Sequence, residues 1–332
     1  MSPVLAAPFL RPTSLADAYL PEGPREVLMG GRSALAWVNI QTGPDSKTGS
    51  VNLWFWQADE RRTLPQPGRP GFLLPTDRSN ILLVGMDRKL GLLNLATNDF
   101  ETIVEIETAH PRTTINDAEI IPGGGGIVFG TKDLKCNDPI ASLYMWTVKD
   151  NLVTELKSDQ TVSNGKVFRR NKTGLYLFDI DSPRKKIIRY AFDLPGRKLD
   201  KGTTAVSMSD RDDFPDGMID CGEDSVIVAF FNPNRGGDGE AARYDLETGK
   251  LIAKWRLPGS PRVTCPLVTR TKDATKVLFT TAVEGMSEEI RAQSPNAGCL
   301  FLADFDTDRI RIGPGKKMGV VRMNTEIVKL GS

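Results

Sequence analysis

Short β-type runs that recur every 46 to 51 residues constrain this 332-residue chain more than any other feature. The runs start near residues 34, 80, 126, 174, 225 and 276, so the steps are 46, 46, 48, 51 and 51. Each start opens an apolar run, such as Ala34–Asn39, Asn80–Val84, Gly126–Phe129 or Ser225–Phe230, and a second run follows, such as Leu90–Leu95 or Ser142–Trp146. Sustained helical periodicity is nearly absent. The best helix candidate, Ser287–Gln293, is about two turns long. A repeat of ~40–50 residues built only from short strands predicts propeller blades of about four strands each. Six starts therefore predict an all-β chain, a six-bladed β-propeller in which residues 1–332 form one domain. An N-terminal strand that completes the last blade would close the ring and remove free sheet edges. Glu247-Thr248-Gly249 and Asp306-Thr307-Asp308 are expected as outer hairpin turns. Gly123–Gly126 reads as a loose hairpin turn, and with no following helix or Lys-Ser/Thr pair it is not a phosphate loop. The 22 prolines and 31 glycines are spread along the chain and mark no linker.

Three short motifs far apart in sequence each set an oxygen-bearing side chain beside a glycine just ahead of a strand pattern. They are Glu22-Gly23-Pro24, Ser163-Asn164-Gly165 and Pro215-Asp216-Gly217. Asn-Gly and Asp-Gly are also ordinary turn dipeptides, so no one motif is specific. A propeller, however, brings equivalent ends of all its blades to one point. Glu22, Asn164 and Asp216 would then meet, and their hard oxygens suit Ca²⁺ or Mg²⁺, and Zn²⁺ less well. Other chemistry is poorly supplied. One histidine, His110, argues against triads and histidine–metal sites. Cys136, Cys221, Cys265 and Cys299 have no metal or redox spacing and are expected as reduced, buried thiols of a cytoplasmic protein. A net charge of +1 favours neither nucleic acid nor an anionic membrane. No stretch approaches the ~20 apolar residues of a membrane span, and the N-terminus makes a poor signal peptide. The five tryptophans, Trp37, Trp54, Trp56, Trp146 and Trp255, read as blade packing rather than a sugar platform.

Further motifs in the same order are Ile115-Asn116-Asp117, Phe129-Gly130-Thr131, Ser142-Leu143-Tyr144, Asp181-Ser182-Pro183, Pro261-Arg262-Val263-Thr264-Cys265 and Glu284-Gly285-Met286-Ser287-Glu288-Glu289. With their order and spacing, the chain from about Tyr19 to about Ala303 resembles the gluconolactonase / senescence-marker-protein (regucalcin-like) family of six-bladed propellers. The resemblance implies one divalent cation, Ca²⁺ first with Mg²⁺ or Zn²⁺ as alternatives, held by Glu22, Asn164 and Asp216 at the mouth of the channel. It implies hydrolysis of a sugar lactone or a related ester of a sugar acid. Asp216 would serve as ligand and as the base that activates water, and Asn116 would bind substrate. Asp117 is expected only to tighten its turn.

Departures from the family pattern leave the substrate open. An arginine that the family's lactonases often place two residues before this Asn is Thr114 here. Arg112, two further back, shares a strand face with 114 and 116 and is a candidate replacement, with solvent exposure as the other reading. Lys132 stands where family members can carry an acidic substrate contact. With Lys135 it suggests a less acidic pocket, suited to an acidic or phosphorylated sugar derivative, or simply a solvated loop. The rival reading is a non-enzymatic divalent-metal or ligand-binding propeller, and Thr114 is the residue that favours it. The sequence does not set the oligomeric state.

Overall fold

The computed structural model describes residues 2–270, 274–305 and 319–323. Six antiparallel sheets follow one another along the chain. Their innermost strands are Pro21–Met29, Pro70–Pro75, Thr113–Ile120, Ser163–Asn171, Phe214–Asp220 and Val263–Arg270. Each inner strand packs beside the next, and the sixth packs beside the first, so the sheets close into a ring around a channel. The N-terminal strand Ala7–Leu10 pairs with Leu300–Asp304 as the outer strand of blade six. Chain start and last blade are thus sewn together, as the repeat predicts. Val4–Leu5 adds a parallel outer strand to blade five.

The repeat starts near 34, 80, 126, 174, 225 and 276 fall on the second strand of each blade: Arg32–Asn39, Ile81–Met86, Gly126–Asp133, Gly174–Asp181, Ser225–Phe231 and Thr275–Thr281. They are not the blades' first strands. The physical reason is burial on both faces. Leu82 and Val84 pack into the layer between blades one and two, while Leu83 between them packs into the layer between blades two and three. A strand with no solvent face reads as a continuous apolar run. The six hydrophobic clusters are the six blade-to-blade layers. Trp37, Trp146 and Trp255 are fully buried in three of them. Burying one such side chain contributes about 1.5–3 kcal/mol or more, so the ring's stability is distributed around its circumference. Trp54 and Trp56 stack on Phe9 at the seam of blades one and six.

The helix expected near 287–293 is Glu288–Ala292, capped by the Ser287 hydroxyl, which accepts from the Ile290 N–H at 3.2 Å. Gly249 takes a positive φ in the outer hairpin of blade five, as its turn requires. Asp306-Thr307-Asp308 lies outside the described residues. The glycine run is the hairpin turn between Thr113–Ile120 and Gly126–Asp133, as expected, but it is fastened rather than loose. Residues 319–323 cross it: the Arg322 N–H donates to the Gly124 carbonyl at 2.9 Å, and Val321 pairs with Thr76. A Cβ on Gly124 would stand 2.4 Å from the Val320 carbonyl oxygen, and its φ is +76°. No helix among the described residues is long and apolar enough to cross a membrane.

Candidate active site

Every inner strand breaks register with its neighbour near its start. The breaks fall between Glu22 and Arg25, Pro70 and Phe72, Ile115 and Ala118, Asn164 and Lys166, Pro215 and Met218, and Val263 and Cys265. A β-bulge leaves one or two residues unpaired and re-aims their side chains. Six bulges at one level therefore make a collar of re-aimed groups at one mouth of the channel. Glu22, Asn164, Asn116 and Asp216 lie at or within four of them. The sequence reading set three of these motifs on turns before the strands. The structure sets them inside the strands, and the glycines have a different task. A Cβ on Gly165 would lie 2.4 Å from the Met218 Cβ, and one on Gly217 would lie 2.6 Å from Cys265 Sγ. Both glycines let adjacent inner strands approach closely, which a narrow channel requires.

Hydrogen bonds fix how the amides present their oxygens. Ser182 Oγ donates to the Pro215 carbonyl at 2.6 Å, so it accepts from Asn164 Nδ2 at 2.8 Å. That leaves Asn164 Oδ1 on the channel side, where Asn116 Nδ2 donates to it at 2.8 Å. Asn116 Nδ2 also donates to the Ser163 carbonyl at 3.0 Å. Its own Oδ1 has no partner among the described residues and remains free to accept. Behind Asn164, the fully buried Lys166 ammonium donates to the Asn164 carbonyl and lies 3.5 Å from Asp179 Oδ1. Burial pushes the Asp179 carboxyl up to about 7 despite that ammonium. Arg25 crosses below the collar from blade one to blade three and donates to the Ala118 carbonyl at 3.2 Å.

Glu22 and Asp216 carry the electrostatic signature of the site. Burial, then the charge of Asp117, pushes the Glu22 carboxyl up to about 8, although it accepts from the Gly23 N–H at 2.9 Å. Burial, then the charge of Glu22, holds Asp216 well above the ordinary carboxylate range. Two neighbouring acids whose negative charges are this costly form a donor set that a cation would relieve. Asn164 Oδ1, which accepts from Asn116 Nδ2, is a neutral oxygen of the kind that could complete such a set. These residues fit a hard divalent ion. No group of three or more His, Cys, Asp or Glu side chains among the described residues is arranged to hold a metal, so the fit rests on two carboxylates and one amide.

The remaining candidates separate. Arg112 Nε donates to Asp133 Oδ1 at 2.7 Å and its Nη2 pairs with Asp138, so both ends of its guanidinium are engaged in the loop after blade three's second strand. Thr114 is buried and its hydroxyl donates to the Asp87 carbonyl at 3.2 Å. Lys132 is the direct cross-strand partner of Thr114 and bridges to Val162, beside Asn164. It is buried. Burial works against its charge, but Glu284, Cys136, Asp216 and Glu22 outweigh it and raise the ammonium's pKa. The four cysteines are free; three are buried, but Cys136 is exposed. Sequence reasoning did not assign site roles to Glu284, Ser182, Lys166 or Arg25. Glu284 acts on Glu22, Asp216 and Lys132 from the loop after blade six's second strand. A cavity of about 320 Å³ on the outer edge of blade four, bordered by Tyr176, Asp193 and Lys198, shares no residue with this collar.

Fold and collar define a six-bladed propeller with an acidic, oxygen-lined site at one channel mouth. Residues 20–283 match the SMP-30/Gluconolactonase/LRE-like region, and the chain belongs to that family. It is 28% identical over 226 residues to the putative sugar lactone lactonase YvrE of Bacillus subtilis, covering 68% of this chain and 74% of that protein. It is 26% identical over 301 residues to the L-arabinolactonase of Azospirillum brasilense, covering 88% and 91%. Regucalcin of Danio rerio is 27% identical over 192 residues, covering 58% and 62%. Among solved structures, a calcium-binding protein, regucalcin, from Agrobacterium tumefaciens superposes with a TM-score of 0.79 at 20% identity, covering 97% of this chain and 100% of that one. A luciferin-regenerating enzyme gives 0.76 at 16% identity, covering 96% and 100%. These two establish the shared fold.

Proposed function

We propose that the protein hydrolyses a small lactone or related ester of a sugar acid, with one divalent cation held by Glu22, Asn164 and Asp216. The observation that carries this reading is the pair of carboxyls pushed upward together beside an amide oxygen whose direction is fixed by Ser182. A divalent ion bound there supplies Lewis-acid polarisation of a carbonyl and offsets the two negative charges; Ca²⁺ is the first candidate, with Mg²⁺ and Zn²⁺ behind it. Asp216 is the general base. As an ionised carboxylate beside the cation it can accept the water's proton, and the ion itself makes that water more acidic. The water oxygen adds to the lactone carbonyl carbon as its proton passes to Asp216. The ring C–O bond then breaks, and the departing ring oxygen takes the proton back, giving a hydroxy acid. Asn116 Oδ1 accepts from a substrate hydroxyl. Lys132, rather than Arg112, is the basic group that faces the substrate, because the Arg112 guanidinium is already engaged.

The lactonase names of two relatives support the reaction class. The rival, a binding propeller without turnover, is favoured by one observation: Thr114 directs its hydroxyl to Asp87 and offers the substrate no cationic grip. Indicator-monitored hydrolysis of a panel of sugar lactones separates the two, run with chelator and then with calcium, magnesium or zinc. Turnover that vanishes in chelator and returns with one metal is the expected result. No turnover of any lactone or ester in any metal would leave the binding reading.

A further inference from the structure

The Lys132 ammonium has no direct partner among the described residues. The residue is nine-tenths buried, at 8% relative exposure. It makes neither a hydrogen bond nor an ion pair with any described residue, although carboxylates surround it. A lysine present only to balance charge would be expected in contact with one of those acids. Instead the three N–H donors of Lys132 are left without an acceptor among the described residues, beside a collar whose acids act on its charge. The surrounding acids hold it protonated, so it acts as a fixed positive charge and not as a proton donor to a leaving group. Its placement is well defined. Lys132 pairs directly with Thr114 and bridges Val162, so it stands between the strands that carry Asn116 and Asn164. Side chains of directly paired residues share a face of the sheet. Lys132 thus presents its charge on the face where Thr114 presents none.

We propose that the site selects lactones or esters bearing an anionic group, a carboxylate or phosphate, that Lys132 receives while the carbonyl lies at the Glu22–Asn164–Asp216 end. The inference rests on the hydrolase reading for the lactone, but not for the anion. An anion meeting a desolvated ammonium forms charge-assisted hydrogen bonds, about twice as strong as neutral ones. The expected discrimination is roughly 10–100-fold, the range of hydrogen bonds to charged groups.

Two measurements test it on the full chain in calcium. The first is calorimetric binding of 6-phospho-D-gluconate against D-gluconate; the second is the ratio of kcat/KM for D-glucaro-1,4-lactone over the neutral D-galactono-1,4-lactone. Wild type should prefer the more anionic partner in both. Lys132→Met should bring both ratios down by at least tenfold, and Lys132→Arg should retain most of the preference. Melting curves confirm that each variant is folded. Equal binding of the two acids by wild type would overturn the inference. So would a preference that survives in Lys132→Met, which would place the anion on the metal or elsewhere. If no lactone is hydrolysed but the binding preference exists and is lost in Lys132→Met, the hydrolase reading fails and the role of Lys132 stands.

Discussion

Removing the cation should make the protein's stability fall with pH, and the effect can be sized from Glu22. Its carboxyl lies near 4.5 in an unfolded chain and is pushed up to about 8 in the folded one. The folded state therefore binds more protons than the unfolded state between those values. The contribution of this group is complete below about pH 4.5 and is lost as pH rises through about 8. Between about pH 5.5 and pH 8 the difference for an isolated group is roughly 3 kcal/mol. Glu22 is partly open to channel water, so roughly 1–3 kcal/mol is the working range. At about 2 °C per kcal/mol for a chain of this size, the metal-free protein should melt roughly 2–6 °C lower at pH 8 than at pH 5.5 from this source. A divalent ion removes the repulsion between Glu22 and Asp216, so calcium should raise the melting temperature more at pH 8 than at pH 5.5. Differential scanning calorimetry in chelator and in calcium, at both pH values, reads this directly. Glu22→Gln removes this titrating group and should reduce the difference, leaving the share that the buried Asp216 carboxyl contributes. A calcium-induced shift equal at the two pH values in wild type would refute the account of Glu22 as a strained acid at the cation site.

Three further outcomes are expected. Asp216→Asn should keep the fold and much of the metal affinity, because an amide oxygen still ligates, yet lose roughly 10²–10⁴-fold in turnover; near-full hydrolysis with metal bound would make Asp216 a ligand only. Ser182→Ala removes the acceptor that fixes the Asn164 amide, at a cost of about 1 kcal/mol, so calcium titration should show severalfold weaker binding with little change in far-UV circular dichroism; unchanged affinity would mean that Asn164 is oriented without Ser182. Gly165→Ala drives a methyl against the Met218 backbone and should cost roughly 1–3 kcal/mol as overpacking does, seen as a lower melting temperature; a neutral effect would show that the inner strands can part.

The blade period is legible in the chain because the second strands are apolar on both faces, as at Leu82-Leu83-Val84. The inner strands are not legible in the same way. Pro21-Glu22-Gly23-Pro24-Arg25 and Phe214-Pro215-Asp216-Gly217 carry polar, proline and glycine residues because one face lines a channel and a bulge interrupts the pairing. Such a stretch has the composition of a turn, and the three oxygen-bearing motifs read as turns for that reason. Residue types at the collar could be picked out by their spacing, but their partners could not. Ser182 lies in the short turn after the strand that pairs with Asn164's, and Glu284 in the loop after blade six's second strand; the blade's own hairpin brings the first within reach and the closed ring the second. Arg112 shows the converse. Its strand-face position pointed toward the pocket, yet Asp133 and Asp138, 21 and 26 residues further along, engage it.

The central claim is one divalent ion on three particular oxygens. Long-wavelength anomalous diffraction from a calcium-soaked crystal tests it most directly. The account predicts a single strong peak at the channel mouth, about 2.3–2.6 Å from side-chain oxygens of Glu22, Asn164 and Asp216. A peak held by other residues, or no peak at a calcium concentration that saturates the thermal shift, would contradict it.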